Sequence, residues 1–112
     1  MDIMFSSNKL RRQLSESKVI DKAYGRDRAK RVRMVMNTLR AAPNLGVFAP
    51  PYSKPYRCHE LKGNRKGQFA LDLGHPFRLT LCPMDGNDLE DGKLNWQTIT
   101  VIQIKKVEDY HG

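Results

Sequence analysis

The spacing of apolar positions divides the chain into a helical half and a strand half. Ile3, Met4 and Phe5 form a short apolar run that reads as a first strand. Leu10 and Leu14 then stand four residues apart, so a short helix is expected over residues 8–16, with Ser6 and Ser7 as candidate N-caps. Over residues 18–41 the apolar residues Ile20, Ala23, Tyr24, Val32, Val35 or Met36, and Leu39 recur at helical spacing. Ser17 is the candidate cap of that second helix, and Pro43 stops it. The very short link between the two predicts an antiparallel helical hairpin. Residues 43–55 read as an irregular loop, because Pro50, Pro51 and Pro55 exclude regular structure, with Tyr52 and Tyr56 as apolar anchors.

Beyond residue 56 the period changes from helical to two. Strands are expected over 56–61, over 68–73 with Phe69, Leu71 and Leu73 inward, and over 77–82 with Phe77, Leu79 and Leu81 inward. The third of these places Arg78 and Thr80 on the opposite face. Residues 83–95 read as a polar hairpin loop with turn signals at Asp85-Gly86 and Asp91-Gly92. A long last strand over 96–107 carries Ile99, Val101, Ile102 and Ile104 on both faces, which predicts a central position in the sheet. The expected fold class is α+β: an N-terminal strand and helical hairpin packed on a curved antiparallel sheet. A chain of 112 residues is expected to make one domain, with the hairpin in 1–42 and the sheet in 56–112. Helices on one face of such a sheet leave the other face for a site.

Charge sharpens this picture. The net charge is +8, with 29% charged and 39% apolar residues, which describes a charge-rich globule rather than a disordered chain. Such an excess predicts an acidic partner: nucleic acid, an anionic membrane or an acidic protein. No stretch is long and apolar enough to span a bilayer, and the short N-terminal run lacks the features of a secretory signal. Cys58 and Cys82 lack metal-ligand spacing and read as reduced, buried thiols of a cytoplasmic protein.

The cations concentrate in two places. Arg26, Arg28, Lys30, Arg31 and Arg33 follow one another on the long helix, either as an ordinary solvated face or as a track for a phosphate backbone. The segment from Arg57 to Gly67 carries Arg57 and His59 up to a turn crowded by Lys62, Arg65 and Lys66 and bounded by Gly63 and Gly67. Cations crowded on a short turn repel one another, and phosphate is the anion that most readily offsets them. Metal-independent RNA cleavage needs a base for the 2′-OH, an acid for the leaving 5′-oxygen and cations on the crowded phosphate. Histidine suits the first two roles and contributes about 10²–10⁴-fold as a positioned acid or base. His59, His111, Lys62, Arg65, Lys66, Arg78 and Tyr110 make a sufficient set, and Asp109 could orient a histidine. His75, before Pro76 in a turn, reads as a bystander. No Walker-type glycine loop, zinc cluster or serine-triad order is legible, so neither metal nor cofactor is expected.

The pattern Arg57-x-His59-x-Leu61-Lys62-Gly63-x-Arg65-x-Gly67, then Phe77-Arg78, then Asp109-Tyr110-His111, resembles the HigB-type toxins of the RelE/ParE superfamily. The resemblance implies a microbial-ribonuclease-like sheet and a ribosome-dependent mRNA endonuclease that cuts in the ribosomal A site. It implies a cognate antitoxin, in this subfamily usually a HigA-like helix-turn-helix protein. It places the active-site residues on His59, Lys62, Arg78, Asp109, Tyr110 and His111, with Lys62 and Arg78 on the phosphate. The basic helix and Arg57, Arg65 and Lys66 would help hold RNA. The chain departs from the family in its long 43–55 and 83–95 loops and in having His75-Pro76 ahead of Phe77-Arg78. Those departures bear on ribosome docking and codon preference. The superfamily's ParE branch poisons DNA gyrase without nuclease activity, and a catalytically degenerate RNA-binding homologue is a further alternative. The Asp109-Tyr110-His111 tail favours the nuclease branch.

Overall fold

The computed structural model describes residues 1–49, 56–86, 89–90 and 93–109. The chain opens with strand β1, Asp2–Phe5, and helix α1, Asn8–Ser15. Ser7 caps α1 by accepting from the Leu10 N–H, so the second of the two candidate serines takes the role. Helix α2 spans Ser17–Ala41. Ser17 is its first residue rather than its cap, and Glu16 takes the cap position without a side-chain hydrogen bond. Ala42 caps the other end through its N–H to the Thr38 carbonyl, and Pro43 prevents a further turn.

α2 is two helical segments joined at Gly25, which has φ 79° and ψ 164°. That break resets the helical phase. Ala23, expected on the buried stripe, is exposed, whereas Ala29, Val32, Val35, Met36 and Leu39 of the second segment are all buried to 1% exposure or less. A 3₁₀ turn, Leu45–Phe48, gives the expected irregular loop two buried anchors, Leu45 and Phe48. Pro50, Pro51, Tyr52 and Pro55 lie outside the described residues.

The strand half contains β2 (His59–Glu60), β3 (Phe69–Asp72), β4 (Phe77–Pro83), β5 (Leu89–Glu90), β6 (Lys93–Leu94) and β7 (Val101–Asp109). Among the described residues the main sheet has the order β1-β7-β4-β3-β2, and β5 and β6 form a separate small hairpin. β7 is flanked on both sides, as its two apolar faces predict. It runs over 101–109 rather than 96–107, because Trp96–Thr98 coils into a 3₁₀ turn capped by Asn95. The sheet is mixed, not wholly antiparallel, because β1 pairs parallel to β7 with Ile3 opposite Ile102 and Phe5 opposite Ile104. Residues 6–100, which hold both helices and β2 to β6, separate these strands in sequence and permit the parallel pairing.

β2 is two residues long, against the six expected, because Arg57 takes φ 49° and ends the extended run. Leu61 is half-buried and lies outside the core. The core joins Leu10 and Leu14 of α1, the buried face of α2, and Phe69, Leu71, Leu79, Leu81, Ile102 and Ile104 of the sheet. Cys58 belongs to it at 1% exposure, while Cys82 is half-buried. Asp85 ties the 83–86 segment to the start of β7, accepting from the N–H groups of Thr100 (2.8 Å) and Val101 (2.9 Å) and from the Thr100 hydroxyl. Burial pushes the Asp85 pKa up, but these hydrogen bonds outweigh it and leave the value lowered. Among the described residues no helix is long and apolar enough to cross a membrane.

Candidate active site

Register places the candidate side chains in rows across the sheet. Leu71, Leu79 and Val107 stand side by side on the core-facing side. The residues between them project from the opposite face. One row there is Asp72, Arg78 and Glu108, and the next is His59, Ala70, Thr80 and Lys106. The register shifts between Thr80 and Leu81, which face Lys106 and Ile104 and leave Lys105 as the extra residue. That bulge returns Ile104 and Ile102 to the core while Lys106 and Glu108 stay on the opposite face.

The floor of the face is small and buried. Ala70 and Thr80 are both 0% exposed, and the Thr80 hydroxyl donates to the Lys106 carbonyl at 3.3 Å. His59 stands two strands from Thr80, roughly 10 Å by strand spacing. Its Nδ1 lies 2.8 Å from the Arg57 carbonyl, which fixes the ring. Arg57 has a positive φ of 49°, and its guanidinium Nε lies 3.9 Å from the Asp72 carboxylate.

The basic turn is a 3₁₀ turn over Gly63–Arg65, entered at Lys62 and left at Lys66. Gly63 (φ 68°) and Gly67 (φ 94°) occupy conformations that favour glycine, and the Gly67 N–H donates to the Glu60 carboxylate at 3.0 Å. The turn sorts its cations. Lys62 and Lys66 are exposed, whereas Arg65 reaches over the sheet face, donating from Nη1 to Glu108 Oε1 (3.0 Å) and from Nη2 to Glu108 Oε2 (3.3 Å).

Glu108 is the member of the candidate site that sequence reasoning missed. Among the described residues it gathers Arg65, Arg78 through Nε at 2.8 Å, and Lys106 through Nζ at 3.3 Å. Its side chain is only 16% exposed. Burial raises its pKa, but hydrogen bonds from Arg65, then Arg78 and Lys106, and the charge of Arg78 prevail and bring it down to about 2. The signal was present in the sequence as an acid flanked by Lys105, Lys106 and Asp109, but cross-strand pairing with Arg78 needs the register. Asp109 ends β7 opposite Phe77 and alternates with Glu108, so it lies on the other face of the sheet, the side on which the Phe77 ring meets Tyr24 of α2. Tyr110 and His111 lie outside the described residues.

The helical cations do not form one face. At 100° per residue Arg26, Lys30 and Arg33 share a side of α2, while Arg28 and Arg31 lie on either flank of the buried stripe. Arg28 lies over the Phe77 ring at 5.0 Å and Arg31 is half-buried. Arg33 turns back along the helix to Ser17 and to Asp21 at 2.8 Å, while Arg26, Arg28 and Lys30 are exposed.

No family model and no curated protein matches the chain. Solved structures do match. The crystal structure of YafQ from E. coli strain BL21(DE3) aligns over 97% of this chain and 92% of that one, with TM-score 0.53 and 16% identity. The structure of the YoeB dimer from Staphylococcus aureus aligns over 100% of this chain and 98% of that one, with TM-score 0.53 and 15% identity. At such identities the likeness is one of fold: the chain has the α+β, microbial-ribonuclease-like fold of the RelE type that YafQ and YoeB share.

Proposed function

We propose that this protein is the toxin of a toxin–antitoxin pair, a HigB-type, ribosome-dependent endoribonuclease that cuts mRNA in the A site. The observation that carries the reading is the sheet face opposite the core, where Arg65, Arg78 and Lys106 meet around Glu108 with His59 in the neighbouring row. Its setting, the RelE-type fold shared with YafQ and YoeB, supports the same reading.

On this reading the RNA backbone lies along the cationic face. Arg78 and Lys62 stabilise the charge that builds on the scissile phosphate as the 2′-OH attacks, a role for which fixed cations suit better than solvent. His59 and His111 supply the proton-transferring groups, with Tyr110 and Asp109 beside His111 on the same terminal segment. The 2′-oxygen bonds to phosphorus, the 5′-oxygen leaves, and a 2′,3′-cyclic phosphate end results; the step consumes no metal or cofactor. Arg57, Lys66 and two exposed cations of α2, Arg26 and Lys30, hold RNA outside the reacting phosphate. Arg28, Arg31 and Arg33 contribute charge but are committed in part to packing and local pairs. The net charge of +8 favours an acidic antitoxin that covers this surface, proposed here as a HigA-like helix-turn-helix protein.

Arg78→Ala and His111→Ala test the reading. Each should lower cleavage by about 10²–10³-fold, the cost of losing a preorganised group, and abolish growth arrest on induction. Full toxicity in both variants, with unchanged circular dichroism, would refute it.

A further inference from the structure

We propose that Glu108 is a positioning residue, a carboxylate that orients Arg78 and Arg65 for the substrate phosphate. This deepens, and rests on, the endonuclease reading above. The two arginines come from separate elements: Arg78 from β4, and Arg65 from the turn between β2 and β3. Glu108 sits on a third, β7, directly opposite Arg78 in register, and its two oxygens take both guanidinium groups within 3.3 Å.

The geometry distinguishes orientation from simple neutralisation. Arg78 is held through Nε, the donor nearest its aliphatic stem, at 2.8 Å. Fixing Nε sets the plane in which both Nη groups lie, and the planar guanidinium is the group whose direction matters for a phosphate. Arg65 is fixed further by Gln68 at 3.4 Å. The Arg65, Arg78 and Lys106 cluster with Glu108 keeps a net positive charge, so it still attracts a polyanion. The Arg78 and Arg65 side chains are 21% and 31% exposed, so their like charges are poorly screened and would spread apart without the carboxylate between them.

Two effects of opposite sign follow from removing the charge. RNA gains attraction, because the face loses a negative group, while turnover falls, because the guanidinium groups lose their fixed direction. A merely structural prop would lose both or neither.

The test is Glu108→Gln in ribosome-programmed mRNA cleavage, paired with binding of a short 2′-O-methylated RNA across a salt series. The expected result is kcat lowered at least about tenfold, RNA binding at low salt tightened, and a salt dependence steeper by about one phosphate contact. An unchanged kcat, or kcat and RNA affinity falling together, overturns the role. Should Glu108→Gln fail to fold, Glu108→Asp keeps the charge and withdraws it by one methylene: kcat should fall with the salt slope unchanged, and full kcat overturns the proposal. If the wild-type protein cuts nothing, the endonuclease reading fails by itself. Positioning is then decided by the Arg78 Nε–H resonance, which should be slow to exchange in wild type and lose that protection in Glu108→Gln; an unaltered resonance overturns it.

Discussion

At the scale of single residues, Glu108 has a consequence for stability as well as for the site. Its pKa falls from about 4.5 to about 2 on folding. A lowered carboxylate pKa stabilises the fold fully above the ordinary glutamate range, and the contribution disappears as pH falls from about 4.5 toward 2. Thermal unfolding over that interval should show wild type losing stability faster than Glu108→Gln, with the two curves converging toward pH 2. Parallel curves would contradict the ion-pair account. Burial also pushes the Cys58 thiol up to about 12, which keeps it protonated. An alkylating reagent at pH 8 should therefore modify half-buried Cys82 first and Cys58 at least about tenfold more slowly, until the protein is unfolded. Comparable rates on the native protein would contradict that burial. His59, Arg78 and the turn cations were legible as residue types. Glu108 was not, because an acid in a charged C-terminal stretch reads as surface until register sets it opposite Arg78.

At the scale of elements, the periodicities of 3.6 and 2 located α1, α2, β3 and β4 closely, because each turns its large apolar residues to one face. They failed where backbone conformation, not apolar spacing, decides the outcome. Arg57 with φ 49° cut β2 short, and Gly25 broke α2 while the apolar pattern ran on through it. Gly25 sits near the region that only glycine adopts comfortably, and nothing lies within 4 Å of where a Cβ would be. Gly25→Ala should therefore cost about 1–3 kcal/mol through backbone strain alone, seen as a lower midpoint in denaturant with helix content retained. An unchanged midpoint would mean that the joint relaxes into a continuous helix. The parallel pairing of β1 with β7 was also illegible, since no local pattern in residues 2–5 states which distant strand they meet or in which direction.

At the scale of the molecule, the helices and the sheet divide the work. Helices α1 and α2 close one side of the sheet around the core, and the other side gathers the cations. That division followed from the order of helical and strand periods, and the RelE-type fold shared with YafQ and YoeB agrees with it. The excess charge of +8 pointed to an anionic partner, and the proposed phosphate chemistry rests on the arrangement on the sheet. The proposed acid–base pair joins His59 on β2 to the terminal segment that follows β7 in sequence, two residues beyond Glu108. The direct measurement is the mapping of new mRNA 5′ ends in a purified translation system, with and without ribosomes. The account predicts cuts at a fixed position within the A-site codon, present with ribosomes and absent without them. Growth arrest by a protein that leaves every mRNA intact under both conditions would contradict it.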